Sequence, residues 1–352
     1  MVRRLASTRR TAVLAVSVAA VLALVLAGCG SSSSSSTTTG STTKTTTTSG
    51  AGSTAEPTVY MIGSVTNNTF WAAVQRGFLA GGKAFGVHAI YEAPGIHASS
   101  SSIPLIQSAL AAHPAGMAIN YSDASIRAPT LAALDQGVAV TLFNNNRFEE
   151  VGGKADTATT DPRITTLPYV GEDSLLNAED LAKTFIPYLK KKGTILIVDP
   201  VPGVEVLALR RQGIETVMHA NGFSTAYLPA GLDEGTNLTT IGSYLQAHSN
   251  VVGVVGLGDP TGDPACTYIQ KSNLSIPVAT FDVDAEAIQH IQKGCMKAAT
   301  DQQPYLQGYL SAANLAFQIV DHLYPVSVNT GSYIVTSQNV AEVAKAVAAG
   351  KG

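Results

Sequence analysis

Two amides and two aromatic side chains follow the first predicted strand, in the run Asn67, Asn68, Thr69, Phe70 and Trp71. An aromatic ring can stack on the apolar C–H face of a sugar, and a planar amide can both donate to and accept from its hydroxyls. These residues therefore favour binding of a polyhydroxylated ligand at a strand-to-helix turn. The alternative is structural: Asn68 caps the following helix and Phe70 packs in the core.

Carboxylates and further amides follow other predicted strands. Asn144 and Asn145 come directly after one strand, and with Asn146 they form three successive amides, more than a turn requires. Asp259 and Asp282 each follow a later strand, where a buried carboxylate can accept charge-assisted hydrogen bonds from ligand hydroxyls. We expect these side chains to face a ligand.

A pair of arginines lies near the start of a predicted helix, after a strand and a Pro-Gly turn. Arginine offers a planar fork of donors, which suits a hydroxylated or anionic group. We expect one of Arg210 and Arg211 to offer this fork to the ligand and the other to be solvated.

Catalytic and metal-binding motifs are missing from the sequence. It contains no Gly-x-Ser-x-Gly, no His-Glu-x-x-His and no Walker loop, and the seven histidines are scattered without ligand spacing. The glycine-rich run from Gly256 to Gly262 does not meet Gly-x-Gly-x-x-Gly, so we expect no nucleotide cofactor. An acid pair formed by Asp259 and Asp282 would suit glycoside hydrolysis, and this is the enzymatic alternative.

Short β-rich runs alternate with longer segments of helical period from Pro57 onward, which is typical of parallel sheets covered by helices. The count predicts two doubly wound α/β halves. Because ligands bind at the carboxyl ends of strands in such sheets, the polar residues above would meet in a cleft between the halves. The predicted strands are Thr58 to Ser64, His88 to Glu92, Gly116 to Asn120, Val138 to Phe143, Thr194 to Val198, Ser224 to Leu228, Val251 to Leu257, Val278 to Phe281 and Met296 to Thr300. The predicted helices are Thr69 to Phe85, Ser102 to Ala112, Ile126 to Gln136, Ala178 to Lys190, Glu205 to Ala220, Leu238 to Ala247, Pro264 to Lys271 and Asp284 to Lys293, with an irregular stretch from Gly152 to Pro168.

The first 28 residues have the pattern of an export signal. Four arginines precede an apolar run from Thr11 to Leu26, which ends in Leu26-Ala27-Gly28-Cys29. This tetrad is similar to a lipobox, so we expect cleavage before Cys29 and a lipid on its thiol. The alternatives are a permanent transmembrane anchor, for which the run is short, and export in the folded state through a twin-arginine signal at Arg9-Arg10.

Residues 29–56 are almost entirely Ser, Thr and Gly and predict a flexible tether that forms no core. Loss of the four arginines with the signal would take the net charge from -3 to -7, which argues against a nucleic-acid partner. The 352 residues are 45% hydrophobic and 13% charged, enough for two domains. Of the three cysteines, Cys266 and Cys295 remain for the folded part, either as a disulfide or as two separate thiols.

Several of these motifs resemble those of the ribose-type, type I periplasmic sugar-binding proteins. The matching runs are SVTNNTFW from Ser64, VAVTLFNN from Val138, TFDVD from Thr280 and DQQPYLQGYL from Asp301. The resemblance implies two Rossmann-like lobes joined by three crossovers, near Gly171, Gln302 and Ser332. The implied lobes are residues 57–171 with 303–332 and residues 172–302 with 333–348.

The same resemblance implies ligand contacts and departures from the family pattern. The implied contacts are Asn68, Phe70, Trp71, Arg210, Asp282 and Gln302. Asn144 and Asn145 stand where ribose binders commonly have an Asp-Arg pair. Gly258 stands where they often have asparagine, which leaves Asp259 as the neighbouring contact. These differences put ribose itself in doubt and fit another aldose, a deoxysugar or a polyol.

The function implied is a solute-binding receptor that delivers a sugar or polyol to an ABC transporter permease. We expect a monomer anchored by lipid at the outer face of the cytoplasmic membrane, without enzymatic activity, cofactor or metal. The related alternative is a receptor for a signalling sugar or for a sensor kinase partner.

Overall fold

A computed structural model of the chain describes residues 55–66, 68–145, 161–331 and 333–352. The export signal, Cys29 and nearly all of the tether lie outside these residues. So do Asn67, Asn146 and the expected crossover position Ser332. Within the described ranges, no helix is long and apolar enough to cross a membrane.

The first sheet has six parallel strands in the order β11-β5-β4-β3-β1-β2. Its strands are β1 (Thr58–Ile62), β2 (His88–Glu92), β3 (Gly116–Ile119), β4 (Ala139–Phe143), β5 (Tyr169–Glu172) and β11 (Val328–Gly331). The helices of this first lobe are α1 (Thr69–Phe85), α2 (Ser99–Ala111), α3 (Arg127–Asp135), α4 (Pro162–Thr165) and α10 (Pro304–Ile319), with a 3₁₀ turn at Ala124–Ile126.

The second sheet has the order β12-β10-β9-β8-β6-β7 and is parallel except for β12, which runs antiparallel to β10. Its strands are β6 (Thr194–Asp199), β7 (Ser224–Pro229), β8 (Val251–Gly256), β9 (Val278–Phe281), β10 (Met296–Asp301) and β12 (Tyr333–Val335). The helices of this second lobe are α5 (Ser174–Phe185), α6 (Glu205–Ala220), α7 (Glu234–Ala247), α8 (Asp259–Lys271), α9 (Ala285–Gln292) and α11 (Val340–Ala348), with a 3₁₀ turn at Ile186–Tyr188.

Each sheet carries a hydrophobic core on both faces. Along β6, Ile195 and Ile197 belong to one cluster, whereas Leu196 and Val198 belong to another, as the period of two in a strand requires. Central strands such as β3, β8 and β9 are completely buried, which is why they read as continuous apolar runs in the sequence, whereas the edge strands β2 and β7 are only partly buried.

The chain passes between the two sheets three times: from β5 to α5, from β10 to α10, and between β11 and β12. The expectation of two doubly wound lobes with three crossovers is therefore confirmed. Helix α10 returns the chain to the first lobe and packs closely on α1. A Cβ atom added at Gly77 or Gly308 would collide with the backbone of the opposite helix.

Four predicted elements, α1, β2, α6 and β9, have the bounds seen in the structure. Four helices, α2, α5, α7 and α8, begin earlier than predicted. Helix α7 begins after Asp233, whose carboxylate accepts from the Thr236 backbone N–H, and α8 already begins at Asp259 because Pro260 suits the first helical turn. Helix α5 begins at Ser174 and ends at Phe185, because Pro187 breaks the helical pattern.

Six helices and strands were not predicted: α4, β5, β11, β12, α10 and α11. Of the irregular stretch, residues 152–160 lie outside the described residues, and Pro162–Thr165 in its described part forms α4. The cysteines of the second lobe are bonded to each other, Cys266 from α8 with Cys295 at the start of β10, with their Cα atoms 5.8 Å apart. The alternative of two separate thiols is therefore wrong.

Candidate functional site

A cavity lies where loops at the carboxyl ends of strands from both lobes face each other. It encloses about 610 Å³, including the part open to solvent. The structure brings together in its walls all nine residues predicted to contact a ligand: Asn68, Phe70, Trp71, Asn144, Asn145, Arg210, Asp259, Asp282 and Gln302. Their meeting at one place follows from the parallel sheets, whose strand ends all point to the same edge.

The aromatic wall is built by the first turn of α1. The Phe70 and Trp71 rings lie edge to face with centroids 5.2 Å apart, and Trp71 also packs edge to face on Phe143 at 6.1 Å. Asn68 caps this helix, because its Oδ1 accepts from the Trp71 backbone N–H at 3.1 Å. The capping role considered for Asn68 is thus present, and the residue lines the cavity as well.

The amides of the first lobe form a buried network after β4. Asn145 Nδ2 donates to Asn120 Oδ1 at 2.7 Å and to Asn144 Oδ1 at 2.8 Å. Asn144 Nδ2 donates to Gln307 Oε1 of α10 at 3.3 Å. Asn145 Oδ1 is buried and has no hydrogen-bond partner, which leaves an acceptor at the cavity wall.

Two residues that follow strands at the cavity wall have a strained backbone. Asn144 after β4 has φ +60° and Asp282 after β9 has φ +70°, both in the left-handed region that non-glycine residues rarely adopt. Each turn brings its side chain to the cavity wall. At the second crossover, Gln302 Nε2 donates to Asp282 Oδ1, whereas Gln302 Oε1 is buried without a partner.

Arg210 is buried, but its donor fork is largely occupied. Its Nε and Nη2 donate to Glu172 Oε1 at the end of β5, and its Nη1 donates to the Leu257 carbonyl oxygen at 2.7 Å. The guanidinium also lies over the Phe281 ring, 4.3 Å from its centroid. The expected free fork is therefore corrected to a buried ion pair that lines the cavity. Arg211 is half-exposed and pairs with Glu215, as expected for the solvated arginine.

Glu172 is the main site residue that sequence reasoning missed. Ser174 Oγ donates to its Oε1 at 3.1 Å, and Asn177 Nδ2 donates to its Oε2 at 2.9 Å, so the carboxylate is fixed at the first crossover. A signal existed in retrospect, since Glu172 ends a short apolar run next to the expected crossover at Gly171. The run of four residues was too short to be recognised as β5.

Of the two aspartates of the second lobe in the cavity wall, Asp259 is buried and Asp282 is half-buried, and their environments disfavour charge. Burial, with the nearby charges of Asp282 and Asp284, raises the pKa of Asp259 well above its usual range. Burial also raises the pKa of Asp282 to about 6, and the positive charge of Arg210 limits this rise. Thr69 Oγ1 of the first lobe donates to Asp259 Oδ2 at 3.5 Å, a contact across the cavity.

Apolar side chains and one histidine complete the wall and were also missed. The apolar residues lie in loops after β6 and β7 and at the start of α6, namely Val201, Val204, Val206, Leu207 and Leu232. His97 follows β2, and burial lowers its pKa, which favours the neutral imidazole. Among the residues the structure describes, no group of three or more His, Cys, Asp or Glu side chains is placed to hold a metal ion.

Comparisons with known proteins agree with this architecture. The family model described as a periplasmic binding protein domain matches residues 59–322. The xylose/arabinose-binding protein XylF of Sulfolobus acidocaldarius is 22% identical over 228 residues, which are 60% of this chain and 54% of that protein. The chain thus spans about half the length of this curated relative.

Solved structures are similar over nearly their whole length. A carbohydrate transporter from Acidothermus cellulolyticus in complex with myo-inositol is 24% identical, with a TM-score of 0.73 over 84% of this chain and 100% of its own. An ABC sugar transporter, a periplasmic sugar-binding protein from Legionella pneumophila, is 23% identical, with a TM-score of 0.70 over 78% and 99%. Because the family match spans most of the chain and the fold agrees, the chain belongs to the periplasmic binding protein domain family, whose members are solute-binding proteins.

Proposed function

We propose that the chain is a receptor that binds a sugar or polyol between its lobes and delivers it to an ABC importer. The observation that carries the proposal is the composition of one cavity. An aromatic wall from the first lobe faces two carboxylates and an amide from the second. Of the similar proteins named above, XylF is described as binding xylose or arabinose, and the Acidothermus cellulolyticus protein is in complex with myo-inositol. All three compounds are polyhydroxylated.

In this proposal the ring of the ligand stacks on Phe70 and Trp71. Its hydroxyls donate to Asp259, Asp282 and the free oxygen of Gln302, and each bond to an ionised carboxylate contributes about 1.5 to 3 kcal/mol. Because Arg210 forms an ion pair with Glu172, only part of its guanidinium is left for the ligand. The oxygens of Asp259, Asp282 and Gln302 are therefore the main hydrogen-bonding groups of the wall.

Binding residues from both lobes make the ligand a bridge between them, which favours the closed arrangement of the lobes. We assign residues 57–171 with 303–332 to one moving lobe and residues 172–302 with 333–348 to the other. The permease would recognise the closed form, and the chain would act as a monomer without catalysis.

We also propose that Cys29 carries a lipid after export and that residues 30–56 tether the lobes to the outer face of the cytoplasmic membrane. The support is the sequence alone: four arginines, an apolar run and Leu26-Ala27-Gly28-Cys29. In cells, Cys29→Ala should shift the protein out of the lipid-modified membrane fraction. Labelling of the variant by a fatty-acid probe to the level of the unchanged protein would contradict the anchor.

Thermal unfolding in the presence of single compounds tests the binding function. The panel comprises D-xylose, L-arabinose, D-ribose, the common hexoses, their 2-amino derivatives and myo-inositol. A bound ligand at one hundred times its Kd adds about 2.7 kcal/mol to the free energy of unfolding, so the melting temperature should rise for at least one compound.

Asp282→Ala is the matched variant for this test, and Asp180→Asn, on the exposed face of α5, is the control. The ligand-induced rise in melting temperature should disappear in Asp282→Ala and persist in Asp180→Asn. If no compound of the panel raises the melting temperature of the unchanged protein, the proposed function is wrong.

A further inference from the structure

The charges around the cavity do not balance. Among the described residues that line the cavity, Arg210 is the only arginine or lysine. Its charge is already neutralised by the buried Glu172. Asp259 and Asp282 line the same cavity, and neither forms an ion pair with any described residue. Glu234 and Asp284 add further negative charge around Asp259. The cavity therefore presents two carboxylates without a matching cation.

These carboxylates also border a second, smaller space. A side cavity of about 270 Å³ shares Phe70, Asp259, Asp282 and Gln302 with the main cavity. Asp284 and Asp301 contribute to its wall, so four carboxyl groups surround it. A small positively charged group would fit between the two spaces, where a second ring would not.

Among the described residues that line the main cavity, the buried side-chain atoms without hydrogen-bond partners are acceptors, Gln302 Oε1 and Asn145 Oδ1. The two residues are 3% and 4% exposed, and Gln302 also borders the side cavity. Asp282 uses one oxygen for Gln302 Nε2, which leaves the other for a ligand. A primary ammonium offers three donors and no acceptor, so it matches such a wall better than a hydroxyl does.

We propose that the cavity selects an amino sugar or amino-cyclitol, whose ammonium group lies between Asp259 and Asp282 while its hydroxyls bind the amides. This inference rests on the proposed function and specifies its ligand class. A carboxylate or phosphate on the ligand would meet uncompensated negative charge, so sugar acids and sugar phosphates are excluded from the site.

Matched pairs of compounds test this inference by titration calorimetry at pH 7.5. D-glucosamine, D-galactosamine, D-mannosamine and scyllo-inosamine are compared with D-glucose, D-galactose, D-mannose and scyllo-inositol. At least one amine should bind about ten-fold more tightly than its hydroxyl partner, because hydrogen bonds between two charged groups are stronger than those to a neutral hydroxyl. N-acetylation of that amine should remove the advantage.

Asp259→Asn should reduce the preference to less than about two-fold, whereas the surface variant Asp180→Asn should leave it unchanged. The inference is overturned if all four amines bind no more tightly than their partners, or if Asp259→Asn leaves the preference intact. Binding of neutral compounds alone would overturn this inference and leave the proposed function standing. The proposed function fails separately, when no neutral or cationic sugar or polyol binds.

Discussion

Asp282 combines a strained backbone, a half-buried carboxylate and a position at the end of a strand. Its φ of +70° directs the side chain to the cavity, and burial raises its pKa to about 6. The groups around it are Arg210, which favours its charge, Glu172 and Asp301, which oppose it, and Gln302, which donates to it. The residue thus lowers the stability of the protein at neutral pH, and under the proposed function the same carboxylate binds the ligand.

The sign of this effect follows from the pKa in the two states. The unfolded carboxyl titrates near its ordinary value of about 3.9, so between about pH 4 and 6 the folded state holds more protons. Stability is therefore lost as the pH rises through that window. Asp282→Asn removes this loss, and we expect the variant to be more stable than the unchanged protein at pH 7.5 by an order of 2 to 3 kcal/mol.

Urea unfolding at pH 7.5 and pH 4 measures this difference. The difference in stability between variant and unchanged protein should narrow at pH 4, where the folded carboxyl is protonated and the unfolded one is about half protonated. Asp180→Asn serves as the surface control at both values. A variant that is less stable at pH 7.5, or equally shifted at both values, would contradict the account of Asp282.

Glu172 and Arg210 form the buried ion pair of the site, and each depends on the other. Glu172→Gln removes the partner of a buried charge, which typically costs about 3 to 5 kcal/mol. We expect a marked fall in the urea midpoint, together with weaker preference for amines, because the freed guanidinium can then turn to Asp282. A variant with unchanged stability would show that Arg210 does not need this carboxylate.

At the scale of elements, the sequence predicts long, strongly patterned segments best. Helix α6 and strand β9 have the predicted bounds, since amphipathic or apolar periodicity extends over their whole length. The failures have local causes. Strand β5 has four residues, and β12 has three and pairs antiparallel, so neither gives a periodic signal. Helix α10 was hidden behind Pro304, which the structure accommodates in the first turn.

The sequence predicted which residues lie at the site better than it predicted their hydrogen-bond partners and apolar neighbours. Residues after strands could be assigned to one edge of each sheet, because the topology of parallel sheets fixes that edge. The partner of Arg210 could not be predicted, because Glu172 lies 38 residues away in the sequence. The two residues meet only in the folded chain, where α5, which follows Glu172, packs on α6. Apolar residues such as Leu232 carry no sign of a ligand site in the sequence.

The disulfide joins α8 to the start of β10, and neither cysteine lines the cavity. It closes a loop of 29 residues, which in the chain-entropy model stabilises the fold by about 3 to 4 kcal/mol. Replacing both cysteines by serine should therefore lower the melting temperature while leaving ligand affinity within about two-fold. Calorimetry measures both quantities. A stable variant that has lost its affinity would contradict the separation of these roles.

At the scale of the molecule, the lobes are linked by three crossovers and by contacts across the cavity. The second crossover contains Gln302 of the cavity wall, and the first begins at Glu172, which binds the wall residue Arg210. A ligand that engages Gln302 or displaces the contact between Thr69 and Asp259 would act directly on the relative position of the lobes. Under the proposed function, binding of the ligand and closure of the lobes are therefore coupled.

The sole tryptophan, Trp71, lies in the cavity wall and reports on the central claim, that this cavity binds a sugar or polyol. Titration of the panel compounds, neutral and amino, should give a saturable change in tryptophan fluorescence for at least one compound. Asp282→Ala should weaken that response by about ten-fold or more, because it removes a charge-assisted acceptor. Saturable binding that leaves Trp71 fluorescence unchanged and is indifferent to Asp282→Ala would contradict the account.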